Sequence, residues 1–327
     1  MKVTMTVSPT QAIEEFSKLS PGNASDANAF FEKFGAGNSP IGRDSPYERL
    51  AYYEFLLNAL ITHDLPKYQT VHKGTPFYIM AWLAFDLKNY EKALYYIDAA
   101  ISEDVRNSRT DWLELPASNF LTLQNTDVQV ARRTIEIIRK TLSAELVRFN
   151  TISGLNPIDV DTFITRFVTP LLTDAPKRTI VSALYVFLLE HSERQKELQM
   201  RSIEGGSIAP FILHLFSGAL IFESILKNLF PTKNNGTPTQ TLGEVFHTAA
   251  FQAVYPAGIA TSANSVADIL AGITDNSLLT AFTTSAKVRN TTGHNLIWDD
   301  TFASPNQYQL LFEQEVNSIL YIISYSY

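Results

Sequence analysis

The repeat of apolar residues every three or four positions is the feature that most constrains this chain. Strict alternation of apolar and polar residues, as a half-buried strand requires, is scarce. The clearest helical segments, judged by this spacing, are residues 47–64, 127–150, 176–199, 208–230 and 306–326. Further helices are expected at 241–254, 264–273 and 277–290. A sequence with this periodicity cannot place one face of a sheet against a core, so it predicts an all-α fold.

Composition narrows the class of protein further. The 327 residues can bury a core, and 45% apolar with 18% charged residues is typical of a folded, soluble chain. The formal net charge of −7 argues against a generally basic nucleic-acid binder, although a local basic site remains compatible with it. The absence of Cys excludes disulfides, thiolate metal sites and Cys nucleophiles.

Two apolar segments bear on localisation. Residues 1–19 contain no apolar run of the length that a secretory signal needs. The most apolar stretch, 208–230, carries His214, Glu223 and Lys227, which favours a buried helix over a membrane span. We therefore expect a cytoplasmic protein without a membrane partner.

A helical hairpin is predicted at 76–104, with its turn at Lys88-Asn89. Small residues recur where two helices would approach closely, at Ala81, Ala84, Ala93 and Ala100. This stretch resembles one degenerate tetratricopeptide (TPR) repeat, and an ordinary helical hairpin is the alternative. Since one repeat cannot bury its own apolar faces, neighbouring helices must stack on it. The resemblance implies a TPR-like N-terminal region over residues 1–120 that binds a protein partner.

The remaining chain divides into a helical middle region, 121–205, and a C-terminal region, 206–327. The boundary is placed at the sequence EGGSIAP (204–210), the clearest break in helical periodicity. The 127–150 helix is rich in Arg, but Glu136 and Glu145 interrupt the basic run. A solvated face with ion pairs one turn apart is favoured there over RNA contact.

The sequence RNTTGH, residues 289–294, is the strongest candidate for chemistry. On an unbroken helix Arg289 and His294 would lie about 140° apart around the axis and about 7.5 Å along it. Thr291, Thr292 and Gly293 disfavour helix, so the chain is predicted to turn and bring His294 back beside Arg289. Asn290 is predicted to hold this turn through a side-chain hydrogen bond.

These residue types suit metal-independent RNA cleavage. A His with a pKa near neutrality can remove the proton of a ribose 2′-OH or protonate the leaving oxygen. A guanidinium can hold the phosphate bidentately and stabilise the charge that develops on it. The nucleophile belongs to the substrate, so this chemistry requires no metal and no cofactor.

The segment resembles the signature of the HEPN superfamily, an Arg, a polar residue that is often Asn, a few residues and then His. Arg289, Asn290 and His294 match it position by position, and the helix order over about 206–327 is similar. The resemblance implies a C-terminal HEPN-like helical bundle. It also implies a metal-independent endoribonuclease in defence or toxin-like RNA cleavage, and a homodimer whose two motifs share a cleft. Other members of the superfamily only bind RNA or nucleotides.

Glu223 is the fourth candidate site residue. It falls on the apolar side of the 208–230 helix, where an unpaired carboxylate is costly to bury. Arg289 is its predicted partner, and the pair would orient the guanidinium for its work. The alternative is that Glu223 lies at the rim of the helix and reaches water.

A non-catalytic helical scaffold that binds a protein, or senses RNA or a nucleotide, is the rival function. It is favoured by charge, because residues 206–327 hold four Lys or Arg against eight carboxylates. No residue spacing indicates a metal site, and the pair Asp299-Asp300 is interpreted as a solvated loop. His191, His214 and His247 stand alone on predicted helices and are interpreted as structural.

Overall fold

The structure of the protein is a computed structural model that describes residues 9–35, 45–107, 110–124, 129–200, 207–293 and 304–327. Its named elements are helices, and the described residues form no β-strand. Thr232 and Pro238 make an isolated antiparallel bridge. The predicted all-α fold is confirmed.

The chain forms two compact units, Met1–Glu136 and Ile137–Tyr327. They divide within helix α8 (Gln129–Ser153), whereas the sequence placed boundaries near 120 and 205. The first unit contains α1 (Pro9–Phe16), α2 (Ala24–Phe34), α3 (Pro46–His63), α4 (Leu65–Thr70), α5 (Gly74–Asp86), α6 (Tyr90–Arg106) and α7 (Pro116–Leu121). The second contains α9 (Val160–Phe163), α10 (Thr169–Leu172), α11 (Ala175–Met200), α12 (Ala209–Leu229), α13 (Leu242–Phe246), α14 (Ala249–Gln252), α15 (Val266–Ala271), α16 (Leu278–Thr292) and α17 (Pro305–Ser326).

The predicted hairpin in the first unit is formed by α5 and α6, which pack along each other. Lys88 adopts a left-handed φ of 56° at the turn, and the side chain of Asn89 accepts a hydrogen bond from Lys92 N, which caps α6. The four small residues predicted at the helix contact, Ala81, Ala84, Ala93 and Ala100, are buried. The hairpin is therefore present, and its assignment as a TPR repeat stays a prediction.

The core of the second unit is built from α11, α12, α16 and α17, which pack against one another. Helix α17 begins at Pro305 after the capping side chain of Ser304, and residues 314–323 are all buried. In the described part of the chain, α12 alone is long and apolar enough to cross a membrane. Because 61% of its most apolar window is buried inside the protein, α12 also has the character of a core helix.

Two segments of the second unit differ from the prediction. The single helix predicted at 241–254 is two short helices, because Thr248 caps α14 through Phe251 N and ends the preceding turn at His247. Residues 160–172, not predicted as helical, form α9 and α10 joined by a π-type stretch at Ile164–Val168. Pro170 falls inside this segment and masks its helical character in the sequence.

His214 is a structural residue in this core, as the sequence predicts. Its Nε2 lies 2.8 Å from the carbonyl oxygen of Phe187 and its Nδ1 lies 2.7 Å from the hydroxyl of Tyr308. A carbonyl only accepts, so Nε2 carries the proton and Tyr308 donates to Nδ1. Burial lowers the pKa of His214 to about 3, which keeps the imidazole neutral.

Glu315 lies in the same core with no exposed surface, and neither carboxyl oxygen has a hydrogen-bond partner among the described residues. Its side chain packs against Gly218, where a side chain would collide with Glu315 Oε2 and would approach Phe187 Cζ to 2.5 Å. Burial raises the pKa of Glu315 well above 4.5. Burial therefore favours the protonated, uncharged form of this carboxyl group in the folded protein.

This burial predicts a pH-dependent free energy of unfolding. Above the ordinary Glu pKa of 4.5 the folded chain keeps the proton and the unfolded chain releases it. Stability then falls by about 1.4 kcal/mol per pH unit until the raised pKa is reached. Urea unfolding at a series of pH values upward from 4.5 should show this decline in the wild type, and Glu315→Gln should lack that contribution. Equal slopes in the two proteins would contradict the assignment.

Candidate active site

Arg289 and Glu223 form an ion pair between α16 and α12. Arg289 Nε donates to Glu223 Oε2 at 2.6 Å. Only 4% of the Glu223 side chain is exposed, against 29% of the Arg289 side chain. The partner predicted for Glu223 is therefore present, and the alternative that Glu223 lies at the rim and reaches water is wrong.

Lys227 is a second cation on the same carboxylate. It lies one helical turn after Glu223 on α12, and its Nζ is 2.7 Å from Glu223 Oε1. This contact is an ion pair without the directionality of a hydrogen bond. Two cations around one carboxylate leave a formal charge of +1, which favours an anionic ligand. Lys227 was not predicted as a member of this group, although its i+4 spacing from Glu223 is a usable signal.

Packing of α12 on α16 fixes the position of the pair. Phe222, the residue before Glu223, meets Phe282 of α16 edge to face at 5.0 Å. Both rings are buried, as is Val288 in the turn that carries Arg289. Because these contacts hold the two helices together, Glu223 has little freedom to move away from the guanidinium.

Asn290 joins Arg289 to a different part of the unit. Its Oδ1 accepts from Arg289 Nη1 at 3.3 Å, and its Nδ2 donates to the carbonyl of Thr261 at 2.6 Å. The role predicted for Asn290 was to hold the local turn after Arg289. The hydrogen bond to Thr261 instead anchors the end of α16 to the 255–264 segment.

The end of α16 lies later than predicted. Thr291 and Thr292 were expected to break the helix, but α16 continues through Thr292 and ends at Gly293. Thr292 Oγ1 donates to the carbonyl of Val288 at 2.7 Å, a bond to the preceding turn that helical Thr residues tolerate. Within the described residues α16 therefore extends two residues beyond Asn290, and the N–H of its C-cap, Gly293, donates to the carbonyl of Arg289.

His294, the predicted acid or base, lies outside the described residues, as does the pair Asp299-Asp300. The structure thus brings together three of the four predicted site residues, Glu223, Arg289 and Asn290. The described part of the chain contains no group of three or more His, Asp or Glu side chains that could hold a metal ion.

The guanidinium retains unused hydrogen-bonding capacity. Nε is engaged by Glu223 and Nη1 by Asn290, whereas Nη2 has no hydrogen bond to a described residue. An Arg side chain that is fixed by a buried carboxylate and still partly exposed is suited to bind a phosphate or carboxylate from solution. Its orientation is set before the ligand arrives, so little conformational entropy is lost on binding.

No protein-family model, no curated protein and no solved structure matches the chain. The site is therefore interpreted from its own geometry. That geometry comprises one oriented guanidinium, a second cation 2.7 Å from the shared carboxylate, and an Asn that anchors the helix end. Such a group can bind an anion and stabilise negative charge as it develops.

Proposed function

We propose that the second unit is a metal-independent endoribonuclease of the HEPN type. The observation that supports the proposal is the ion pair in which buried Glu223 holds Arg289. In this pair Arg289 Nη2 has no hydrogen bond to a described residue. Arg289 acts as the phosphate clamp, Glu223 positions it, Asn290 anchors the helix end, and His294 is the general acid or base.

The reaction requires only the substrate and these side chains. His294 removes the proton of a ribose 2′-OH, and the resulting oxygen attacks the adjacent phosphorus. Arg289 stabilises the negative charge on the phosphorane, and the bond to the 5′-oxygen then breaks as that oxygen takes a proton. The products are a 2′,3′-cyclic phosphate and a 5′-hydroxyl, so atoms and charges balance without a cofactor.

The charge distribution of the second unit indicates how much of an RNA chain the enzyme contacts. The local charge of +1 around Glu223 supports contact with one phosphate, while the acidic surroundings disfavour a long electrostatic track. The proposal therefore includes a homodimer that doubles the cations at one cleft. It also includes a role in the cytoplasm, in defence or toxin-like cleavage.

A non-catalytic scaffold is the second candidate. The α5–α6 hairpin and its closely packed alanines favour it, because hairpins of this kind stack into surfaces that bind proteins. In this alternative the first unit binds a protein partner, and the Arg289 group binds RNA or a nucleotide without cleaving it.

Incubation of the full chain with RNA in excess EDTA distinguishes the two functions. The wild type is expected to cleave RNA under these conditions, and His294→Ala is expected to leave it intact. Gel electrophoresis of end-labelled RNA measures both. Cleavage that EDTA abolishes, or that persists in the variant, would reject the mechanism. Binding without cleavage in the wild type would favour the scaffold.

A further inference from the structure

The first unit contains a cavity of about 170 Å³ at the start of α5. This volume is well above the roughly 10–15 Å³ that one ordered water needs, and below the about 300–1,000 Å³ of drug-sized pockets. Apolar groups form much of its wall, and polar atoms come from a few residues. His72, Thr75, Tyr78 and Asp104 supply polar atoms, and Leu115 and Ala117 supply apolar groups.

A buried His72–Asp104 pair lies in this wall. His72 Nε2 is 2.9 Å from Asp104 Oδ1, and the two side chains are 3% and 10% exposed. Since a carboxylate only accepts hydrogen bonds, Nε2 carries the ring proton. In the neutral ring Nδ1 is then an acceptor, and it has no partner among the described residues. Asp104 Oδ2 accepts no hydrogen bond from a described residue, so the cavity favours a ligand that donates to it.

Gly74 allows this pair to pack against the first turn of α5. A Cβ at this position would lie 2.8 Å from His72 Cε1 and 3.2 Å from Asp104 Oδ1. A larger residue would therefore displace the imidazole or the carboxylate. The absence of a side chain at residue 74 keeps both groups at the cavity wall.

The charge at the cavity wall determines which class of hydrogen-bond donor the ligand is expected to carry. Asp104 is the one formally charged side chain among the described residues that line the cavity, when His72 is neutral. The neighbouring Lys73 is committed elsewhere, because its Nζ donates to the carbonyls of Tyr68 and Val71 and pairs with Glu103 at 3.1 Å. A buried carboxylate without a cation is unfavourable, and an ammonium group in the cavity would supply one.

We propose that this cavity binds the ammonium group of a small primary alkylamine. The ammonium donates to Asp104 Oδ2 and neutralises that carboxylate, while Thr75 Oγ1 offers a second acceptor. The ring of Tyr78 adds a favourable surface for a cation, and Leu115 with Ala117 accommodates the methylene groups. Two sources share this chemistry: a free alkylamine, and a Lys side chain presented by a partner protein.

Titration of the full chain by calorimetry, with n-butylamine, 1-butanol and butyrate as probes, tests the proposal. n-Butylamine should bind saturably, and at least tenfold more tightly than either of the other two. Equal binding of butanol would show that charge is not selected. Tighter binding of butyrate would show that the cavity selects an anion. Either result, or no saturable binding of the amine, overturns the proposal.

Substitutions place the binding in this cavity. Asp104→Asn should weaken n-butylamine binding at least tenfold, and Glu91→Gln, the same charge change at an exposed position of α6, should leave it unchanged. Ala117→Leu should block binding because the larger side chain fills the cavity, while His72 and Asp104 are left unchanged. If circular dichroism shows that Asp104→Asn does not fold, the result for Ala117→Leu alone tests the proposal. Undiminished binding in a folded Ala117→Leu variant would overturn the proposal.

The two sources are separated by a peptide probe. Nα-acetyl-lysine N-methylamide presents the same butylammonium group on a peptide backbone. Binding at least as tight as that of n-butylamine assigns the cavity to a Lys side chain of a partner, and tenfold weaker binding assigns it to a free amine. Both outcomes support an ammonium site, and failure of both probes to bind removes it.

Discussion

Arg289→Ala is expected to lower the rate of RNA cleavage in EDTA by about 100- to 1,000-fold, the usual cost of removing one preorganised group that stabilises developing charge. Glu223 fixes the guanidinium. Nη2 has no hydrogen bond to a described residue, so it can donate to a phosphate. Arg289→Lys should recover only part of the rate, because an ammonium lacks the planar fork of donors. Single-turnover cleavage of end-labelled RNA measures these rates.

Lys287→Ala is the matched control for this prediction. It removes one positive charge from the same helix, two residues before Arg289, and Lys287 is not part of the Glu223 ion pairs. Its rate should stay close to that of the wild type at moderate salt. A similar loss in Lys287→Ala would indicate a general charge effect, and an unchanged rate in Arg289→Ala would remove Arg289 from the mechanism.

Replacing Arg289 and Lys227 together by Met is expected to lower the free energy of unfolding by about 3–5 kcal/mol. Both substitutions keep the aliphatic stem, so the packing loss is small. They leave Glu223, whose side chain is 4% exposed, as a buried carboxylate without either cation. Each single substitution should cost less, because one cation remains at 2.6 or 2.7 Å from a carboxylate oxygen. Urea unfolding at pH 7 measures all three variants.

Adding Glu223→Leu to the double variant provides the control. The triple variant contains no buried charge at this position, so most of the lost stability should return. The cost would then belong to the unpaired carboxylate rather than to lost packing. A double variant within 1 kcal/mol of the wild type, or a triple variant no more stable than the double, would contradict this interpretation of the cluster.

Long periodic helices could be predicted closely from the sequence. α3, α11, α12 and α17 lie within one or two residues of their predicted bounds, because apolar periodicity and a Pro in the first turn agree there. Ser304 followed by Pro305 is one such signal at the start of α17. The α5–α6 turn at Lys88-Asn89 was predictable for the same reason.

Short helices and contacts distant in sequence could not be predicted in this way. α13 and α14 have too few turns to show a period, and a capping Thr248 separates them. His72 and Asp104 are 32 residues apart with no motif around either, so their contact exists only in the fold. The Glu223–Arg289 pair spans 66 residues, and it was predictable because a buried carboxylate requires a cation and few cations were available.

The chemistry of the product ends tests the central claim most directly. The claim is that the substrate's own 2′-OH is the nucleophile at a phosphate held by Arg289. Mass spectrometry of an RNA oligonucleotide incubated in EDTA should show 2′,3′-cyclic phosphate and 5′-hydroxyl ends, and a 2′-deoxy substitution at the cleaved nucleotide should stop the reaction. Ends carrying 3′-hydroxyl and 5′-phosphate, or equal cleavage of the deoxy substrate, would contradict the mechanism.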